Sequence, residues 1–358
     1  MDRRWNKLGE ILVNKSAKVK SGEKVMIAMV EPEAFELTKA VYEEVIKVGG
    51  YPQVQILSEE FKHSLLKFGN DAQIQRDPDL EMYGMDWADV YFGLRGAHNF
   101  GELGEISTEK IAKHQEIMGR VSTQRWKNTR WVLCRIPTEA FAVQANCDLP
   151  SLMDMFFNAC FFDFSTQKDS YNKILDKLNK GKQIRIVGEK TDLSFSVEGR
   201  KWCLLAADSA SNMPEGEIFT GPVCETIDGE IYFEHPGVLG GKLMNDISFK
   251  WDKGKLISAT CSTQQEYFHS IIYDNPGAQT IGEFAFGLNP EMTRFCNDIL
   301  FDEKIFGTIH IAMGRAYPIT GATNKSSIHW DIIKEMRSQG SVVFLDGEPI
   351  FKEGKFLI

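Results

Sequence analysis

The chain has 358 residues, 43% of them hydrophobic, a net charge of −9 and a pI near 5.4. Such a length exceeds what one core usually fills, so two domains are expected. The acidic balance and the lack of a clustered Lys/Arg tract exclude nucleic acid as a partner. No run approaches the ~18–20 apolar residues of a membrane span. The N-terminal stretch mixes charges and lacks the apolar core of a secretory signal, so a cytoplasmic location is expected. Seven scattered cysteines, never closer than thirteen residues, contain no C-x-x-C pair and read as free thiols.

In chain order, a helix is expected near Arg3 to Lys18, a strand over Lys24 to Val30, a helix over Pro32 to Val48 and a strand over Gln53 to Ser58. Trp87 to Gly93 and Trp131 to Ile136 read as strands, Thr108 to Val121 as a helix, and Ser151 to Lys180 contains further helical stretches. This alternation predicts an open α/β sheet, with Gly49-Gly50 closing a helix. After about Lys182 the texture becomes short, often alternating segments: Gln183 to Gly188, Asp192 to Val197, Glu230 to Phe233, Ile247 to Trp251 and Lys255 to Ala259. With a helix over Ser262 to Tyr273, these predict a β-rich α+β domain. The expected division is 1–180 for the α/β domain and 181–358 for the β-rich domain that carries the chemistry.

A dinucleotide site is excluded because no G-x-G-x-x-G follows the first strand, where Glu31 and Glu33 would repel a pyrophosphate. Gly237 to Gly241 reads as a turn, since no Lys-Ser/Thr follows as a phosphate loop needs. Neither a G-x-S-x-G elbow nor a Cys-His signature is present. His63, His98, His114, His235 and His269 lie in ordinary helical or loop contexts. The informative segment is Gly307 to Asp331, GTIHIAMGRAYPITGATNKSSIHWD, where His329 and Asp331 stand two apart and so share one strand face. His310 lies in a second strand-like run among small neighbours that leave room for an ion. Upstream, Glu217 in NMPEGEIFTGP and Glu283 in IGEFAFGLNP each begin an apolar, Gly-flanked run, where a buried carboxylate needs a compensating cation. Glu215 reads as the more exposed of the Glu215/Glu217 pair.

The blocks NMPEGEIFTGP, GEFAFGLNP, DEKIFGTIHIAMGRAYP and NKSSIHWDII, in this order, resemble the thermophilic metalloaminopeptidase family of aminopeptidase T and S type, and KTDLSFSVEGR and DGEPIFKEGKFLI fit it as well. The resemblance is strong over 183–358 and general over the N-terminal half. It implies that Glu217, Glu283, His310, His329 and Asp331 ligate two divalent ions, and that Tyr317 is catalytic. It also implies a homodimer acting on peptide substrates. The chain is shorter than the best-known members, with a tighter connection between His310 and His329. Arg315 stands where a smaller polar residue is expected.

Three carboxylates and two imidazoles suit zinc, cobalt or manganese, with Glu283 as the shared catalytic carboxylate. The expected activity is metal-dependent removal of N-terminal residues by an activated hydroxide, with Tyr317 donating to the oxyanion. The alternative is a mononuclear iron ring-cleaving dioxygenase of the dihydroxypyridine type, whose resemblance also includes the H-x-D pair. Such relatives place a histidine where Glu283 stands and do not use the positions of Glu217 and His310. A third reading is a non-enzymatic role for a site that has lost turnover.

Overall fold

The computed structural model describes residues 2–206 and 211–358. Contacts divide the chain into two units, one of residues 2–161 with 211–214, the other of 162–206 with 215–358. Residues 162–180, expected with the first domain, therefore lie with the second.

In the first unit, Lys24–Val30 lies between Tyr51–Leu57 and Val90–Arg95, followed outward by Arg130–Arg135 and Asn212–Met213, all parallel. Val25, Ile27, Phe92, Leu94 and Val132 are fully buried, as continuous apolar strands are when both faces of a parallel sheet are covered. The strand order turns back on itself at Lys24–Val30, the doubly wound arrangement expected from the α/β rhythm. Gly49, at φ 83°, ends the Phe35–Lys47 helix, with Gly50 N–H donating to the Val45 carbonyl. The Thr108–Asn128 helix runs seven residues beyond its expected end.

Among the described residues of the second unit are two large antiparallel sheets and a two-stranded hairpin. The larger runs, in spatial order, Lys255–Thr260, Ser248–Asp252, Asp228–Tyr232, Thr191–Ser196, Gln183–Gly188, Val342–Leu345, Glu348–Lys352 and Lys355–Phe356. The smaller runs His329–Glu335, Thr308–Gly314, Ile281–Gly287, Glu217–Thr220 and Cys203–Leu205. An aromatic core joins them: Phe195 meets Phe284 edge-on at 5.3 Å, and Phe351 meets Phe286 at 5.1 Å between centroids. Each such ring removed from water contributes about 1.5–3 kcal/mol. Gly237–Leu239 pairs with Lys242–Met244 in a small hairpin, and the turn expected in this segment lies at Gly240 and Gly241, both at positive φ.

All seven cysteines are free, and burial pushes the Cys134 and Cys160 thiols up, so these two are poor nucleophiles. Among the described residues no helix is long and apolar enough to cross a membrane.

Candidate metal centre

The smaller sheet places its side chains by register. Phe284 and Phe286 point into the aromatic core, so Glu283, Ala285 and Gly287 point to the opposite face. Ala285 pairs with His310, Gly287 with Glu217, Ala312 with both Glu283 and Asp331, and Gly314 with His329. One face therefore gathers Glu217, Glu283, His310, His329 and Asp331, with Gly287, Ala285, Ala312 and Gly314 between them. The period-two reading of His329 and Asp331 describes their placement, and His310 has the small neighbours expected of it.

A bulge between Ile281 and Glu283 sets the direction of the Glu283 carboxylate. It depends on Gly282, where a Cβ would lie 2.4 Å from the Gly314 carbonyl oxygen and 2.5 Å from that of Arg315. Gly282→Ala is expected to cost about 1–3 kcal/mol through this overpacking, read as a lower thermal midpoint. An unchanged midpoint would show that the strands separate freely here.

Three overlapping groups hold ligand atoms within 4.8 Å of one another: Glu217 with Glu283 and His310, Glu283 with His329 and Asp331, and Glu303 with His310 and Asp331. His310 Nε2 lies 3.4 Å from Glu217 Oε2 and 3.6 Å from Glu283 Oε1. His329 Nε2 lies 3.3 Å from Glu283 Oε2 and 3.5 Å from Asp331 Oδ1. Glu283 thus turns one oxygen toward each histidine.

Glu217, Glu283 and His310 are at most 5% exposed, so their mutual fields are poorly screened. Burial opposes charge on His310, yet Glu283, Glu217 and Asp331 raise its pKa to about 9. Burial opposes the ionised Asp331 as well, and His329 nonetheless holds it at about 2. Glu283 is likewise lowered by His310 and His329 against the effect of burial. The pocket therefore draws positive charge strongly, as protons or as metal ions.

His329 Nδ1 donates to the Arg315 carbonyl at 2.7 Å, which turns Nε2 toward the carboxylates, where a metal ion would take the place of its proton. Arg315 thus acts on the site through its backbone. Tyr317 packs edge-on to His329 and Phe219 at centroid separations of 4.8 and 5.8 Å. Burial pushes its phenol up, so the proton stays on Oη through the neutral range.

The residues fit a metal site on their own terms. Both ring nitrogens of His310 and Glu283 Oε2 are buried without a hydrogen-bond partner, a cost that a coordinated cation removes. Oxygen and nitrogen donors without thiolate match borderline divalent ions.

The family model described as thermophilic metalloprotease (M29) matches residues 1–356. The chain belongs to that family. The match extends the likeness across the N-terminal sheet as well as the strongly resembling 183–358. Aminopeptidase 2 of Geobacillus stearothermophilus is 25% identical to this M29 chain over 242 residues, 60% of this chain and 58% of that protein. Aminopeptidase T of Thermus thermophilus is 31% identical over 112 residues, 30% of this chain and 26% of that one. The matched segments therefore span less than two thirds of either relative. The structure of wild-type AmpT from Thermus thermophilus superposes with a TM-score of 0.86 at 19% identity, covering 99% of both chains, which shows a common fold. The 2,5-dihydroxypyridine dioxygenase of Pseudomonas putida superposes at 0.59 and 12% identity, covering 99% of this chain and 96% of that one.

Two neighbours in this M29 chain escaped the sequence reading. Glu303, 7% exposed, reaches His310 and Asp331, and Lys304, fully buried, holds Glu217 Oε1 at 2.7 Å and Glu303 Oε1 at 2.8 Å. Their signal was a charged Asp-Glu-Lys triplet directly before the apolar 308–314 strand. Glu215 corrects an expectation: it is 2% exposed against 5% for Glu217, because its backbone carbonyl accepts from Asn289 Nδ2 at 2.7 Å within the interior. Gly216 between the two glutamates has φ 129°, a conformation that L side chains rarely adopt.

Proposed function

We propose that this M29 chain is a metal-dependent aminopeptidase that removes N-terminal residues from peptides at a site for two divalent ions. The observation that carries the reading is Glu283, whose two oxygens face separate groups, Glu217 with His310 and His329 with Asp331. In this reading Glu217, Glu283 and His310 hold one ion, and Glu283, His329 and Asp331 the other. Zinc, cobalt or manganese suits these donors.

When bound, such ions polarise a carbonyl and lower the pKa of water to about 7. The chain's own groups supply the rest. Tyr317 keeps its proton at Oη and donates to the oxygen that gains charge as the peptide carbonyl is attacked. The Arg315 carbonyl fixes the His329 tautomer, so Nε2 needs no rearrangement.

Elemental analysis joined to a chelator and add-back assay tests this. Two divalent ions per chain are expected, with release of leucine from a Leu-anilide lost on chelation and restored by Zn, Co or Mn. One iron per chain with ring cleavage of a dihydroxypyridine would favour the oxygenase. Two ions without peptide release would favour a binding role.

The reading extends to a cytoplasmic homodimer. Phe35, Tyr42 and Ile46 line one face of the Phe35–Lys47 helix at 54, 38 and 53% exposure, and Tyr51 and Ile56 stand exposed on the uncharged edge strand Tyr51–Leu57. Charged residues usually protect such an edge, so a second copy of the chain is the partner that suits it. Sedimentation should give twice the 40.6 kDa chain mass, and Ile46→Arg should halve it. A monomer at micromolar concentration would refute the dimer and leave the metal site untouched.

A further inference from the structure

Lys304 is the positive group that the two-metal reading does not use. Its side chain is fully buried, and its backbone is fixed on both sides, with N–H donating to the Phe301 carbonyl at 3.1 Å and the carbonyl accepting from Asn289 N–H at 2.9 Å. The ammonium lies wholly out of reach of solvent. It lies on Glu217 Oε1 and Glu303 Oε1, with Glu215 also within its field.

A buried ion pair is weak evidence for a stabilising role, because desolvation offsets most of the attraction and apolar replacements are often neutral. A lysine on a ligand carboxylate has another effect. It occupies one Glu217 oxygen, so that only Oε2 faces His310, at 3.4 Å. It also sets the charge of the pocket. Two divalent ions on the ligand carboxylates Glu217, Glu283 and Asp331 would leave one positive charge, and Lys304 adds a second on the Glu217 side. Without Lys304 that added charge is gone from the side of the pocket where Glu217 faces His310.

We propose that Lys304 is a positioning residue that holds Glu217 to one-oxygen ligation and weakens ion binding on the Glu217–His310 side relative to the His329–Asp331 side. The inference rests on the two-metal reading. The chain then has one firmly held ion and one exchangeable ion, and the loaded site keeps the positive charge that favours an anionic nucleophile.

Titration of the metal-free full chain with cobalt(II) against a competing chelator, followed by visible absorption, tests it. The wild type should show two steps of unequal affinity. Lys304→Met should tighten the weaker step by at least about tenfold, since it removes a like charge from a poorly screened pocket. Lys304→Gln, which keeps a hydrogen-bond donor for Glu217, should do the same and serves if the Met variant does not fold. The direction is diagnostic, because damage to the fold loosens metal sites and does not tighten them. Unchanged or weaker binding in a folded variant overturns the inference, and so does failure of both variants to fold, which would make Lys304 a residue of the core. A wild type that takes up at most one ion sinks the two-metal reading together with it. Two ions in the wild type and no tightening in the variants sink only the role of Lys304.

Discussion

Glu283→Gln is expected to abolish binding of both ions and to lower kcat/KM for a Leu-anilide by at least about a thousandfold, because Lewis-acid polarisation supplies several kcal/mol. The expectation follows from geometry, since Glu283 Oε1 and Oε2 face different histidines at 3.6 and 3.3 Å. An amide keeps the shape and removes the charge shared between the two groups. Its neighbours behave differently. Glu217→Gln should leave one ion, held by Glu283, His329 and Asp331, and Asp331→Asn should leave one on the opposite side. Metal counting on the three variants separates a shared carboxylate from an ordinary ligand. If Glu283→Gln retained one ion at full affinity, Glu283 would belong to a single group and the two-metal reading would lose its carrying observation.

Tyr317→Phe is expected to lower kcat by about 10²–10³-fold with little change in KM or metal content, the cost of one donor to a developing oxyanion. Phe keeps the edge-on contacts to His329 and Phe219, so packing is preserved and only the hydroxyl is lost. Burial holds the phenol in its protonated form, so the donor is present across the neutral range. An unchanged kcat, or loss of metal, would show that the hydroxyl does not donate to the reacting oxygen.

The local part of this site was legible in the sequence. His329 and Asp331 share a face because alternate residues of a strand do, and Glu217 and Glu283 stood out as carboxylates opening apolar runs. What was hidden is the pairing. Glu283 meets His310 only because Ala285 pairs with His310, beside a bulge between Ile281 and Glu283, and register between distant strands leaves no trace in either segment. Lys304 was hidden for another reason: a charged triplet reads as solvated surface, and only the long-range carboxylates explain its burial. The division of the chain followed the same rule. Asn212–Met213 pairs beside Arg130–Arg135 in the first sheet, a return that the change of texture near Lys182 did not reveal.

Gly287, Ala285, Ala312 and Gly314 give the ligand face a floor almost without side chains. The donor atoms are therefore spaced by the hydrogen-bonded lattice of four strands, whose separations of about 4.8 Å are constants of β structure. Exchanging one donor for another on this floor changes which element is preferred while leaving the pitch of the array intact. A scaffold of that kind separates where ligands stand from what they are, and chemistry can be rewritten on it one residue at a time.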